Sequence, residues 1–373
     1  MKNRIYFFAN FGDWNKVPYG GGEVGNRRTL DLFKRAKFDI VLIPKYLRVP
    51  NHSIKNICIL LYRIMINILF FVKTLLLGRR KNSIVHIVGF YGPMIYLECF
   101  LISIAKFLRY KVVYEMRGGG ADLYYEEGTV LYHKTFHKAL HKADVIFTQG
   151  LENKPLIKRI NTNIPIFYYP NYVMKDFYPS VYPSKPKDRI NFIYFGRISP
   201  TKNVDIVIDT FFELCRLYKD IYLEIVGNCT DESYFARLKE KITLSEYSSF
   251  VKILPACNHE QLKKYLSDKH FYIFPSKEPH EGHSNALTEA MSWGLIPIAT
   301  SQGFNKSVIG NDSLIVNDLS VNEFVRCISD VFNKRLVHEL SESMYNRILN
   351  NYTDDKVYEQ LITEYNHLFE RFL

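Results

Sequence analysis

The six cysteines, Cys58, Cys99, Cys215, Cys229, Cys257 and Cys327, are scattered, and no two form a Cys-x-x-Cys pair. That argues against a disulfide framework and a sulfur-ligated zinc site, and for reduced thiols in a cytosolic setting. The opening residues MKNRIYFFANFGDW lack the long apolar run and small-residue cleavage site of a signal peptide, and read instead as a first strand, Ile5 to Ala9. There is no low-complexity segment and no short internal repeat. Acid is scarce in one region: residues 34–111 hold 14 Lys and Arg against two acids, Asp39 and Glu98. Residues 1–187 carry 29 basic and 12 acidic residues, leaving 20 and 26 for the remainder, so the first half is strongly positive and the second mildly negative. Such asymmetry suggests an anionic surface as partner of the first half. No nucleic-acid-binding module accompanies the charge, and the basic residues are interleaved with Ile, Leu and Phe, so anionic lipid fits better than nucleic acid.

A chain of 373 residues is too long for one ordinary core and suits two domains. Short apolar runs alternate with helical patterns along its length, which predicts two doubly wound parallel sheets facing each other. The aperiodic, proline-rich stretch from Tyr169-Pro170-Asn171 through Pro179, Pro183 and Pro186 is the linker candidate. The expected layout is a first domain over 1–175, a linker over 176–188, a second domain over 189–352 and a final helix over 353–373.

The most informative stretch is Pro275 to Ala290, PSKEPHEGHSNALTEA. It follows the apolar run Phe271-Tyr272-Ile273-Phe274 and precedes a helix pattern that Gly294 and Pro297 end. A strand, a polar loop and a helix N-terminus form a geometry that binds anions. His283 and Ser284 stand at the cap position. Glu281 and Glu289, before and inside the helix, would repel a bound phosphate but would accept hydrogen bonds from hydroxyls on either side of it. A diphosphate with a hydroxyl-bearing sugar at each end is a nucleotide sugar. Arg197 and Lys202 lie after the strand Asn191–Phe195, in a loop beginning at Gly196; in a parallel sheet they share an edge with both glutamates and can neutralise a diphosphate.

In the first half, Gly20-Gly21-Gly22 follows the first strand and opens a helix. The second strand, Asp39 to Ile43, ends in Pro44-Lys45 without an acid, so a dinucleotide site is discounted. What Gly21 and Gly22 offer is bare backbone, which a phosphate or sugar can approach closely. Ile54 to Leu77 predicts a long helix with Ile57, Cys58, Leu61, Ile64, Met65, Ile68, Leu69, Val72, Leu75 and Leu76 as its apolar stripe. Its length would span a bilayer, yet strands of one sheet flank it; it reads as a sheet-covering helix whose outer face, with Arg79-Arg80-Lys81 beyond, rests on lipid. Strand Lys111–Glu115 runs into Met116-Arg117 and three glycines, a turn that places Arg117, Glu115 and Asp122 at a ligand-facing edge.

Taken together, the motif Glu281–seven residues–Glu289, Gly196-Arg197 with Lys202, the Gly20–Gly22 loop, and Pro170-Asn171 leading to Phe177 resemble the retaining glycosyltransferases of family four, of the bacterial surface-polysaccharide type, with their two-Rossmann GT-B fold. The resemblance implies that Arg197 and Lys202 hold the donor diphosphate and that Glu289 binds the ribose. It implies that Glu281, with the backbone of Gly282, His283, Ser284 and Asn285, holds the transferred sugar, and that Gly21 and Gly22 border phosphate and acceptor. It implies no cofactor and no metal, positive side chains taking its place, and the chain has no Asp-x-Asp. Many relatives carry a histidine where Arg117 is the nearest equivalent, Asn-Gly where this chain has Asn171-Tyr172, and a second glycine that Gly227-Asn228-Cys229 lacks. The expected function is retaining transfer of a sugar from a nucleoside diphosphate sugar to a hydroxyl of a glycan or lipid-linked oligosaccharide, at the inner face of the cell membrane. Two other classes stay open: a glycoside hydrolase or phosphorylase using Glu281 and Glu289, and a non-catalytic membrane-associated scaffold.

Overall fold

A computed structural model describes residues 2–16, 21–45 and 53–371. Two compact units account for the chain, Met1–Tyr169 with Tyr358–Leu373, and Pro170–Val357. In the first unit the elements are β1 (Arg4–Ala9), α1 (Gly21–Arg35), β2 (Asp39–Pro44), α2 (Ile54–Leu76), β3 (Ser83–Gly89), α3 (Ile95–Phe107), β4 (Lys111–Met116), α4 (Ala121–Glu126), α5 (Val130–Lys142), β5 (Val145–Thr148), α6 (Asn153–Ile160) and β6 (Ile166–Tyr168). The second unit runs β7 (Ile190–Phe195), α7 (Val204–Leu217), β8 (Ile221–Val226), α8 (Glu232–Thr243), β9 (Val251–Leu254), α9 (His259–Leu266), β10 (Phe271–Phe274), α10 (Asn285–Ser292), β11 (Ile296–Thr300), α11 (Asn305–Ile309), β12 (Ile315–Val316), α12 (Val321–Asn333) and α13 (Val337–Asn351). The final helix, α14 (Asp354–Arg371), begins in the second unit and continues into the first.

Each unit holds one six-stranded parallel sheet, ordered β2-β1-β3-β4-β5-β6 in the first and β12-β11-β10-β7-β8-β9 in the second. Parallel strands joined by helical crossovers are covered on both faces, which is why β3, SIVHIVG, is buried at every position. Strand order reverses between β1 and β3 in the first sheet and between β7 and β10 in the second. In open sheets of this kind the crevice beyond the strand ends at such a reversal is where ligands bind.

The charge in the first unit's core is organised, not accidental. Glu115, wholly buried on β4, accepts from His86 Nε2 at 2.8 Å and from Arg117 Nε. His86 Nδ1 meets the hydroxyl of Tyr365 on α14 at 2.5 Å. Arg117 Nη2 donates to Thr29 Oγ1 on α1 at 3.0 Å, and Thr29 in turn meets the Tyr169 hydroxyl at 2.9 Å. One network therefore ties β3, β4 and α1 to Tyr169, the last residue before the chain passes to the second unit, and to the helix that returns from it. Burial opposes ionisation of Glu115, but Arg117 and His86 outweigh it and hold the carboxyl below its ordinary range. Burial outweighs Glu115 at His86 and lowers its pKa, so the imidazole is neutral, with Nε2–H donating to the Glu115 carboxylate and Nδ1 accepting from the Tyr365 hydroxyl. Removing Arg117 alone would leave a buried carboxylate uncompensated, at a cost of about 3–5 kcal/mol.

Helix α2 departs from the expected stripe. Its buried residues are Asn67, Phe71 and Leu75, with Phe71 edge-on to Phe8 at 5.5 Å. Ile57, Leu61, Met65, Leu69 and Leu76, all read as inward-facing, are exposed, as are Ile54, Tyr62, Ile66 and Phe70. Apolar residues lie on both sides of this helix, so periodicity alone does not select which line meets the sheet. Because β2 and β3 both pair with β1, the helix is a crossover within one sheet.

The linkage at His86 and Glu115 has a defined sign. His86 has a folded pKa below its unfolded value of about 6.5, so its contribution is present above that pH and is lost as acidification proceeds toward the folded value. Glu115, also depressed, contributes above the ordinary carboxylate range and is lost as pH falls through its folded pKa. Urea unfolding between pH 7 and 5 is expected to show stability falling with pH, and His86→Gln is expected to flatten that slope, with His137 and His270, also depressed by burial, supplying what remains. An unchanged slope in His86→Gln would contradict the assignment.

Candidate functional site

The site is built at the strand-order reversal of the second sheet. β7 and β10 pair directly there, Phe192 opposite Phe271 and Ile193 opposite Tyr272. Both strands are wholly buried apart from the edge of Ile190, and their loops leave on the same carboxyl edge. After β7 the chain turns through Gly196 and Arg197 to a short 3-10 turn, Pro200–Lys202, and Asn203 in left-handed backbone starts α7. After β10 it runs through Pro275–Ser284 to α10.

The two loops are stitched together by polar contacts. Lys202 Nζ pairs with Glu281 Oε2 and lies 3.3 Å from Ser276 Oγ, which itself donates to Glu281 Oε2 at 2.6 Å. The ammonium also stands 5.2 Å from the Phe274 ring centroid. Arg197 Nη2 and Thr201 Oγ1 both donate to Glu278 Oε2, at 2.8 and 2.9 Å. Lys277 N–H donates to the Thr201 carbonyl at 2.8 Å, and Asn203 Nδ2 to the Pro275 carbonyl at 2.9 Å. A third loop closes in from β11. Gly303 has φ +60°, and a Cβ there would lie 2.1 Å from the Glu281 carbonyl oxygen, so only glycine lets that backbone pass. On the other side, a Cβ on Gly227 would lie 1.9 Å from the Gly196 carbonyl.

Three of the sequence-derived residues, Arg197, Lys202 and Glu281, are thus brought together. The pair Lys202–Glu281 is nearly buried, whereas Arg197 is mostly exposed. Glu281 spends Oε2 on Lys202 and Ser276; its Oε1 makes no hydrogen bond among the described residues. Glu289 sits one turn into α10, nearly buried, with its carboxylate 3.5 Å from His259 Nε2 at the start of α9. Ser284 caps α10, accepting from Leu287 N–H at 3.4 Å, and the Asn285 amide oxygen is buried without a partner among the described residues. His283 sits differently from a ligand-facing cap. Its ring is buried, bonded to Thr288 Oγ1 at 2.8 Å and edge-on to Tyr352, while Asn171 Nδ2 holds its carbonyl at 2.8 Å. Its backbone, not its imidazole, is what a ligand at Gly282–Asn285 would meet. Tyr194 and Tyr272 brace the floor, donating to the carbonyls of Arg197 and Phe195. Burial, reinforced by Glu281, raises both phenols far above their usual range and keeps them as neutral donors.

The other residues lie in the first unit. Gly21 and Gly22 begin α1 at that sheet's own reversal point, where a Cβ on Gly22 would press on the Phe90 ring at 3.3 Å. Gly20 falls outside the described residues. Arg117, expected at a ligand-facing edge, has its guanidinium buried on Glu115 and Thr29, and Nη1 has no partner among the described residues. Sequence reasoning missed Ser276, Thr201, Glu278 and His259. The first three were legible as polar residues in the same two loops; His259 carries no local signal, because only the return of β9 beside β8 brings it to Glu289.

Comparison with known proteins bears on this geometry. Residues 181–350 match the family model described as Glycosyl transferases group 1. Among curated proteins, the chain is 23% identical over 228 residues to a phosphatidylinositol N-acetylglucosaminyltransferase component of Arabidopsis thaliana, covering 60% of this chain and 49% of that one. The chain thus spans about half the length of that relative. Among solved structures it resembles a sucrose-phosphate synthase from Thermosynechococcus elongatus, with TM-score 0.72 at 15% identity over 99% of this chain and 100% of the other. It also resembles Anabaena HepE in complex with UDP and glucose, with TM-score 0.63 at 12% identity over 98% and 100%. These likenesses establish the fold, GT-B.

The backbone approach at Gly303 is directly testable. Gly303→Ala adds a Cβ both to a left-handed residue and against the Glu281 carbonyl, so it is expected to destabilise the chain by about 1 kcal/mol or more. The readout is urea unfolding; a stability equal to the parent would show that this loop yields without cost.

Proposed function

We propose that the chain is a retaining glycosyltransferase that moves a sugar from a nucleoside diphosphate sugar to a hydroxyl on a glycan or lipid-linked acceptor. The observation that carries this reading is the convergence of Arg197, Lys202, Glu281 and the N-terminus of α10 at one strand-order reversal. A diphosphate there meets two cations and the unpaired N–H groups of a helix start. The family match over residues 181–350 supports the same reading.

In this reading Arg197 and Lys202 take the diphosphate, exchanging part of their present pairing with Glu278 and Glu281. Glu281 Oε1 and the backbone of Gly282–Asn285 orient the sugar, and Glu289, steadied by His259, accepts from the ribose. As the bond from the anomeric carbon to the phosphate oxygen breaks, negative charge grows on that oxygen, and the two cations, once turned to the diphosphate, stabilise it. The acceptor oxygen forms its bond on the same face, and its proton passes to the departing phosphate. The cations take the place of a metal in this scheme. At the reversal point of the first sheet, Gly21, Gly22 and the exposed Phe90 ring offer the first unit's own surface to a sugar or phosphate.

The acceptor's membrane setting is part of the proposal. α2 is long and apolar enough to cross a membrane by length and composition, yet it is a crossover within a sheet and only 17% of its most apolar window is buried. Fully burying a Leu, Ile or Phe side chain is worth about 1.5–3 kcal/mol, and the half-exposed Ile57, Leu61, Leu69 and Phe70 forgo part of this, which a lipid surface would restore. Arg80 and Lys81 beyond its end add attraction to anionic headgroups.

Two measurements check these claims. Lys202→Ala is expected to keep its fold and to lose on the order of 10²–10³ in kcat/KM for nucleoside diphosphate release; an unchanged value removes the phosphate role. Replacing Ile57, Leu61 and Leu69 by Ser is expected to release the protein from anionic vesicles in a sedimentation assay, and co-sedimentation equal to the parent would reject the lipid contact.

A further inference from the structure

At the amino-terminal edge of the second sheet, opposite the loops that hold Lys202 and Glu281, is a half-open cavity of about 620 Å³. That volume falls in the range of small-molecule sites. Its walls are the rings and aliphatic surfaces of Tyr182, Pro186, Ile190 and Val337. Every charged residue lining it is basic: Lys185, Lys187 and Arg335, joined by the ionisable His338 and His270.

These cations are not spent on acids. Lys185 Nζ donates to the Leu266 and Ser267 carbonyls, each at 3.2 Å, at the C-terminal end of α9; in its protonated form a third N–H stays without a partner among the described residues. The nearby acid Asp268 is already engaged by Lys269 at 2.5 Å and by Asn191 at 3.0 Å. Lys187 and Arg335 make no side-chain hydrogen bond or ion pair among the described residues. Arg335 also holds left-handed backbone, φ 56°, a conformation costly for a side chain of its size. α13 starts at the cavity wall, and its N-cap, Leu336, supplies no side-chain acceptor. Lys185 is lowered to about 7 by burial, helped by Lys269 and opposed by Asp268; an arriving anion would restore its proton.

We infer that this cavity is a second ligand site, built for a small organic phosphate monoester whose apolar or sugar body lies against Tyr182, Ile190 and Val337 while its phosphate meets Lys185, Lys187, Arg335 and the start of α13. The inference is independent of the donor reading, because none of these residues belongs to the carboxyl-edge loops.

The probe is phenyl phosphate, measured by calorimetry on the full chain carrying Arg197→Ala and Lys202→Ala, so that the carboxyl-edge cations contribute nothing. One site per chain is expected, with phenyl phosphate binding more tightly than inorganic phosphate and phenol giving no heat. Adding Lys187→Ala and Arg335→Gly is expected to weaken binding by on the order of tenfold or more, the loss of two charge-assisted contacts. Because glycine suits the left-handed backbone at 335, the thermal midpoint is expected not to fall, which separates loss of ligand from loss of fold. Equal affinity with and without the two added substitutions, or no heat with millimolar phenyl phosphate, would overturn the proposal.

Discussion

The pair Lys202–Glu281 is the contact on which the chemistry proposed for the second unit depends. It joins the two loops that leave the sheet on either side of the strand-order reversal, and its near burial keeps solvent screening low. Ser276, one residue beyond β10's loop start, completes it, and the Gly303 backbone pressing on Glu281 fixes its position from a third direction. Arg197, by contrast, is exposed and paired with Glu278 at the surface, where such a pair contributes ~0–1 kcal/mol to stability. The inner cation is therefore preorganised, while the outer one is free to exchange its partner for a ligand at little cost.

A second charged cluster performs a different task in the first unit. Glu115, His86 and Arg117 are all buried, and the groups they reach for, Tyr169 and Tyr365, lie where the chain leaves that unit and where it comes back. The network makes the two chain crossings parts of one packed arrangement. A buried set of this kind is costly to break and gives a unique geometry when every partner is present. Its residues flank the glycine-rich turn after β4, yet the side chains point inward to structure.

Much of this is legible in the amino-acid sequence alone. Apolar runs mark β1, β2, β4, β7 and β10 to within about one residue at either end, because buried strands show continuous apolar stretches whatever their neighbours. The grouping of Arg197 with Lys202 and Glu281 follows from one rule, that βα loops of a parallel sheet share an edge. The face of α2 does not, since Leu61 and Phe71 look alike to any hydropathy pattern and only the sheet distinguishes them. Nor does the buried network: the bond from His86 to Tyr365 joins residues 279 apart. His283 illustrates the same limit within a motif, for its position is read correctly at the head of α10 while its ring turns to Thr288 and Tyr352.

The proposed chemistry requires a diphosphate seated at the reversal point of the second sheet. The direct measurement is to incubate the chain with a panel of nucleoside diphosphate sugars, without acceptor, and to follow both thermal midpoint and nucleoside diphosphate release. At least one donor is expected to raise the midpoint by mass action and to be slowly hydrolysed, and Lys202→Ala is expected to abolish both effects. A panel that leaves the midpoint unmoved and the donors intact would contradict a diphosphate seat at Lys202.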